Sequence, residues 1–180
     1  PLTKTSTPVV HKDLTHTISI SNEAVTCNDS PLYLHPTSVS SGAFTFSVTT
    51  GDSVSVTGSK VTIDKQGISI ITIDQAATVN YGPATTSMTI IVEELSPNLS
   101  SPNYNVRYGD PPFSIINSVT TSSSGTLNFL HGSSSNFYIS DSSSGEITLT
   151  GSGVGTITII QNGDGCYGPG YITPSLTVLK

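Results

Sequence analysis

The sequence predicts an all-β protein built as two tandem Greek-key β-sandwiches. Three observations lead there. Apolar residues alternate with polar ones at a period of two, which lets a strand bury one face and wet the other. Clusters of Gly, Asn, Asp and Ser break the alternation every eight to twelve residues. The stretch "QAATVNYGPATTSMTIIV" (Gln75 to Val92) also returns 86 positions later as "QNGDGCYGPGYITPSLTVL" (Gln161 to Leu179), so a chain of 180 residues writes one module twice.

In chain order, residues 1–22 read as an N-terminal arm that ends in a first strand. His16 to Ser21 alternates well, whereas the segment before it has no apolar face of its own. The first sandwich then occupies 23–95. "DSPLYL" (Asp29 to Leu34) opens it and "AFTFSV" follows, with Phe44, Phe46 and Val48 on one face. Val54 and Val56 face Val61 and Ile63 across Gly58, a hairpin signal. Ile71 and Ile73 lead into the repeated loop. Residues 96–105 read as a linker, because Pro97 and Pro102 cannot donate to a ladder. The second sandwich, 106–180, repeats the scheme with "DPPFSI" (Asp110 to Ile115), Leu127 and Phe129, Phe137 and Ile139, Ile147 and Leu149, Ile157 and Ile159, then Leu176 and Val178. Matches fall in strands and length changes fall between them, as expected where surface connections tolerate insertion. About seven strands per copy is the Greek-key sandwich pattern.

Composition narrows the function classes. Charged residues make up 10% of the chain and hydrophobic ones 34%, with a net charge of −6 and only six Lys plus Arg. Such a chain has no basic footprint for phosphates, which argues against nucleic acid as a partner. No apolar run is long enough for a membrane-spanning helix, so membrane insertion is not expected. The start at Pro1 suggests a processed initiator Met and synthesis in a cytoplasm without export.

Candidate chemistry is sparse, and no catalytic, cofactor-binding or metal-binding residue is assigned. His11, His16, His35 and His131 form no metal-type pair and read as exposed or loop residues. Cys27 and Cys166, one per copy at non-equivalent positions, read as ordinary thiols. "GSGVG" (Gly151 to Gly155) has no following helix to cradle a phosphate and reads as a tight turn between strands ending at Leu149 and beginning at Thr156. Asp29, Asp52, Asp64, Asp74, Asp110, Asp141 and Asp164 lie mostly at strand ends. "NGDG" (Asn162 to Gly165) lacks the alternating acidic ligands of a calcium loop and reads as a turn. Asn28 and Asn98 head glycosylation sequons of the length that chance supplies. Tyr81 and Tyr167, each followed by Gly-Pro, read as corner staples, with the ring against the sandwich and the hydroxyl on nearby backbone.

These motifs resemble the bacterial immunoglobulin-like tandem repeats of surface proteins, modules also grafted onto phage virion proteins. Tyr108-Gly109-Asp110-Pro111-Pro112-Phe113 matches the opening of that family, Gly151 to Ile160 its Gly-rich middle, and Gln161 to Tyr167 its loop. The first copy matches from Gln75 through Tyr81 but carries Cys27-Asn28 where the opening has Tyr-Gly. The resemblance implies two immunoglobulin-like sandwiches and a non-enzymatic structural role, as a capsid-decoration or fibre protein of a phage, or as the stalk or adhesive segment of a bacterial surface protein. The partners expected are proteins of a large assembly, met through the N-terminal arm, with weak host-surface or glycan contacts a lesser expectation in a chain with no Trp.

Overall fold

The computed structural model describes residues 14–180; the earlier part of the expected docking arm, and His11, lie outside the described residues. The chain divides into two compact units, Pro1–Glu93 and Glu94–Lys180. Each is an immunoglobulin-like β-sandwich with its own core.

The first unit contains β1 (Glu23–Thr26), β2 (Leu32–Tyr33), β3 (Phe44–Thr50), β4 (Val54–Thr57), β5 (Lys60–Ile63), β6 (Gly67–Gln75) and β7 (Ala84–Glu93). One sheet runs β1-β7-β6-β3 and the other β2-β5-β4. The first strand pairs parallel to the last, Glu23 opposite Ile90 through Thr26 opposite Glu93, whereas β6 and β7 are antiparallel. Consecutive strands thus cross between sheets, which makes the arrangement a Greek key and not a meander. The β4–β5 hairpin turns at Gly58, whose φ of 60° suits a residue without Cβ.

The second unit repeats this with β8 (Tyr104–Arg107), β9 (Phe113–Ser114), β10 (Leu127–His131), β11 (Phe137–Asp141), β12 (Glu146–Leu149), β13 (Gly153–Gln161), β14 (Gly170–Ile172) and β15 (Ser175–Leu179). Its sheets are β8-β15-β13-β10, with β14 also on β13, and β9-β12-β11. The closing strand is split because Pro174, at the position of Met88, has no N–H for the ladder; its carbonyl still accepts from Ile157 N at 3.0 Å. A 3-10 turn, Ile116–Ser118, follows β9.

The period-two residues face inward. Val61, Ile71, Ile73 and Ile90 are fully buried in the first core, and Phe129, Ile147, Ile157, Ile159 and Leu176 in the second. Each fully buried aliphatic side chain contributes about 1.5–3 kcal/mol, and the two clusters do not share a residue.

Two readings need correction. Residues 96–105 are not a free linker. Leu95 bridges Tyr167, Ser100 bridges Thr120, and Tyr104 and Asn105 already pair with β15. Residues 95–103 correspond to 14–22, where Leu14 bridges Tyr81 and Ser19 bridges Thr37. Asn22 Oδ1 accepts from Thr89 N at 2.8 Å and Asn103 Oδ1 from Ser175 N at 2.9 Å, so the two segments also share a side-chain bond. The supposed arm end and the supposed linker are one element, the entering segment of each sandwich. Prolines suit it because few of its N–H groups join a ladder. The Gly151 to Gly155 turn is shorter than expected, since β13 begins at Gly153 and Thr150 N and Gly151 N donate to Asn136 O. The missing Tyr-Gly in the first copy does not alter its opening strand, because Asp29 Oδ2 accepts from Thr26 N as Asp110 Oδ2 accepts from Arg107 N.

Truncating Phe129 to Ala should lower the unfolding free energy of the second unit by about 3–5 kcal/mol, read from the urea midpoint at unchanged slope.

Candidate functional site

A buried polar cluster in each unit centres on the glutamine that opens the repeated stretch. Gln75 ends β6 and Gln161 ends β13, each in step with the inward residues before it, and both are fully buried. Gln75 Nε2 donates to Ser40 O at 3.0 Å and Gly42 O at 2.9 Å. Gln161 Nε2 donates to Ser123 O at 3.2 Å and Gly125 O at 3.1 Å. The glutamine thereby ties the end of its strand to the loop that enters β3 or β10. That loop comes close enough to require glycine, since a Cβ on Gly42 would lie 1.9 Å from Ala76 O and one on Gly125 1.8 Å from Asn162 O. Ser40 and Ser123 hydroxyls accept from the N–H of Gly42 and Gly125.

The glutamine oxygen takes a different partner in each copy. Because both amide hydrogens of Gln75 are committed to carbonyls, Oε1 accepts, and His16 must donate from Nε2, 2.8 Å away. Thr121 Oγ1 stands 2.6 Å from Gln161 Oε1 in the second unit. His16 is thus a half-buried structural residue of an irregular stretch, as the loop alternative had it and not the exposed one, and its ring meets Tyr81 edge-on at 5.3 Å. His35 is exposed on the first unit. His131 is exposed on the second, with its ring 4.8 Å from Phe137.

The repeated loop is organised by backbone. Thr78 N donates to Tyr81 O and Asp164 N to Tyr167 O, while Thr78 Oγ1 and Asp164 Oδ1 accept from the N–H of the same tyrosines. The tyrosine main chain is therefore the staple. Asp164 Oδ2 also accepts from Ser124 N at 2.7 Å. The backbone N–H groups of Tyr167, Cys166 and Ser124 hold the Asp164 carboxyl far below its ordinary value of 3.8. Ser143 and Ser144 hold Asp141 down at about 2. Asp74 accepts from Thr85, and Asp52 pairs with Lys65. Among the described residues no three His, Cys, Asp or Glu side chains converge as metal ligands would.

The cysteines overturn their reading as ordinary thiols. Neither is free, and both Cys27 and Cys166 are disulfide-bonded. Spacing and non-equivalence in the two copies pointed away from a disulfide framework, but pairing depends on spatial approach, which spacing does not encode.

No protein family matches the chain, and no curated protein matches it. Among solved structures it is similar to Drosophila N-cadherin EC1-4, at 10% identity and a TM-score of 0.36, covering 91% of this chain and 50% of that one. Sidekick-1 immunoglobulin domains 1-4 match at 12% identity and a TM-score of 0.39, over 92% and 49% of the two chains. Domains 4 and 5 of the S-layer protein SbsC match at 16% identity and a TM-score of 0.36, over 82% of each chain. The chain thus spans about half the length of the N-cadherin and Sidekick-1 structures.

Two tests address this cluster. Gln161→Leu, which leaves two carbonyls without their donor, should destabilise the second unit by about 1–3 kcal/mol per unsatisfied group, as read by urea denaturation. A carboxyl with a lowered folded pKa stabilises above its ordinary value of 3.8 and loses that contribution as pH falls toward the folded value. Asp164→Asn should therefore flatten the fall in stability between about pH 4 and pH 2, followed as the urea midpoint against pH; an unchanged slope would show that Asp164 does not drive it.

Proposed function

We propose that this chain is a non-enzymatic structural protein displayed on the outside of a large assembly. The observation that carries this reading is where its polar side chains are spent. In both copies the buried amides, and carboxylates such as Asp29, Asp110, Asp141 and Asp164, bond the chain's own backbone, and only 10% of the residues are charged. Such a module works by shape and attachment. Attachment falls to protein partners in the assembly, met through the N-terminal arm. Adding a strand to a neighbour's open sheet edge uses backbone bonds and needs no special side chain, so an arm without an apolar face of its own suffices.

The resemblance to modules grafted onto virion proteins supports a phage particle as the setting, with the chain as capsid decoration or fibre. A second setting, the stalk or adhesive segment of a bacterial cell-surface protein, is favoured by the bonded state of Cys27 and Cys166, since disulfides persist in oxidising surroundings outside the cytoplasm. Electron microscopy of the native source separates the two by the object that bears the protein.

Deletion of residues 1–13 should leave both sandwiches folded by circular dichroism and strip the protein from its assembly, measured as copies per purified particle or cell envelope. Incorporation at the full-length level would remove the arm as the docking element.

A further inference from the structure

The two copies differ at one place in a way that the fold does not require. In the second unit Tyr104, the first residue of β8, packs against the core. Its hydroxyl lies 2.7 Å from Ser101 Oγ and 2.5 Å from Ser118 Oγ. A tyrosine side chain so crosses from the entering segment to the 3-10 turn after β9. The matching residue of the first unit is Glu23, which starts β1 in the same register, opposite Ile90 as Tyr104 is opposite Leu176. Glu23 is exposed, Leu32 stands where the second unit has Phe113, and no 3-10 turn follows β2. A cavity of about 330 Å³ opens there. Leu34 and Met88, both buried in the core, form part of its wall. Ser19, Ser21, Thr37 and Glu23 supply hydroxyls and a carboxylate around it.

We propose that this cavity is a binding site for a para-substituted phenol, namely the side chain of a tyrosine carried by a partner protein. At the same point of the same sandwich the second unit inserts its own phenol, with the ring on aliphatic core residues and the hydroxyl on serines. The first unit has an apolar wall and a polar surround and bears Glu23 in place of that ring, with Tyr33 and His35 among the lining residues. The hydroxyl of an entering tyrosine finds acceptors in the Glu23 carboxylate and the neighbouring hydroxyls, and its ring covers the partly buried Ile20 and Leu32. The inference does not rest on either setting proposed above, because the cavity is read from the described residues of one unit.

The test uses p-cresol, the side chain of tyrosine as a free molecule, titrated into the full-length protein and followed by amide chemical shifts. Shifts confined to Ser19–Glu23 and Leu32–Thr37 are expected, with toluene, which lacks the hydroxyl, binding at least roughly tenfold more weakly. Glu23→Tyr should fill the cavity from within, abolish the p-cresol shifts and raise the melting midpoint. Leu32→Phe, which installs the residue of the second unit, should weaken p-cresol binding should Glu23→Tyr fail to fold. Absent or scattered shifts, undiminished p-cresol binding by the folded variants, or equal shifts from a simple methyl glycoside would each overturn the proposal.

Discussion

A buried glutamine amide at one end of each sandwich is the constraint to which the surrounding loops conform. An amide sealed from water must satisfy both donors and its acceptor or it destabilises the core that surrounds it. Gln75 and Gln161 meet that demand by drawing two carbonyls of a distant loop onto the end of the central strand. The loop then lies so close to the neighbouring backbone that Gly42 and Gly125 admit no side chain. Strand end, loop and entering segment are thereby held at mutual positions that the aliphatic core, which is not directional, does not specify. In the first unit the entering segment joins through His16, whose tautomer follows from the same accounting.

The comparison between copies separates what the fold needs from what it tolerates. Backbone bonds recur at matching positions. So do the glutamines, the glycines that the loop approaches, and the aspartates that cap the first turn. The partners around them vary freely. His16 gives way to Thr121 as the glutamine's donor, and Thr78 gives way to Asp164 as the acceptor for the tyrosine N–H. Outward positions vary most. Asp74 and Thr85 bond each other on the outer face of the first unit, whereas Ile160 and Tyr171 stand at the matching points of the second, with Tyr171 75% exposed. A duplicated scaffold whose interior is preserved and whose exterior has diverged is suited to presenting different surfaces on one rigid frame.

That division extends to the polar groups of the loops. Loops on a sandwich are free to carry binding and catalytic groups because strands already hold the structure. Here the loop groups with the strongest electrostatic character, Asp164 and Asp141, are occupied by their own N–H and hydroxyl donors. Their lowered pKa values follow from that self-solvation. The disulfide-bonded cysteines add covalent restraint to a chain whose cores are small.

Much of the architecture was legible in the sequence. Period-two alternation named the inward residues correctly, because strand geometry sends successive side chains to opposite faces regardless of context. The duplication was visible because matching strands are conserved by pairing while turns drift. The inward place of Gln75 was also available, since it continues the alternation of Ile71 and Ile73, although its hydrogen-bond partners lie 33 and 35 residues away. What the tertiary structure alone decided were the features that depend on approach through space. These include the entering segments that look like an arm and a linker, the state of the cysteines, the donor role of His16, and the cavity beside Glu23. Local sequence carries the period of a strand, but not which distant backbone comes to lie within a hydrogen bond of it.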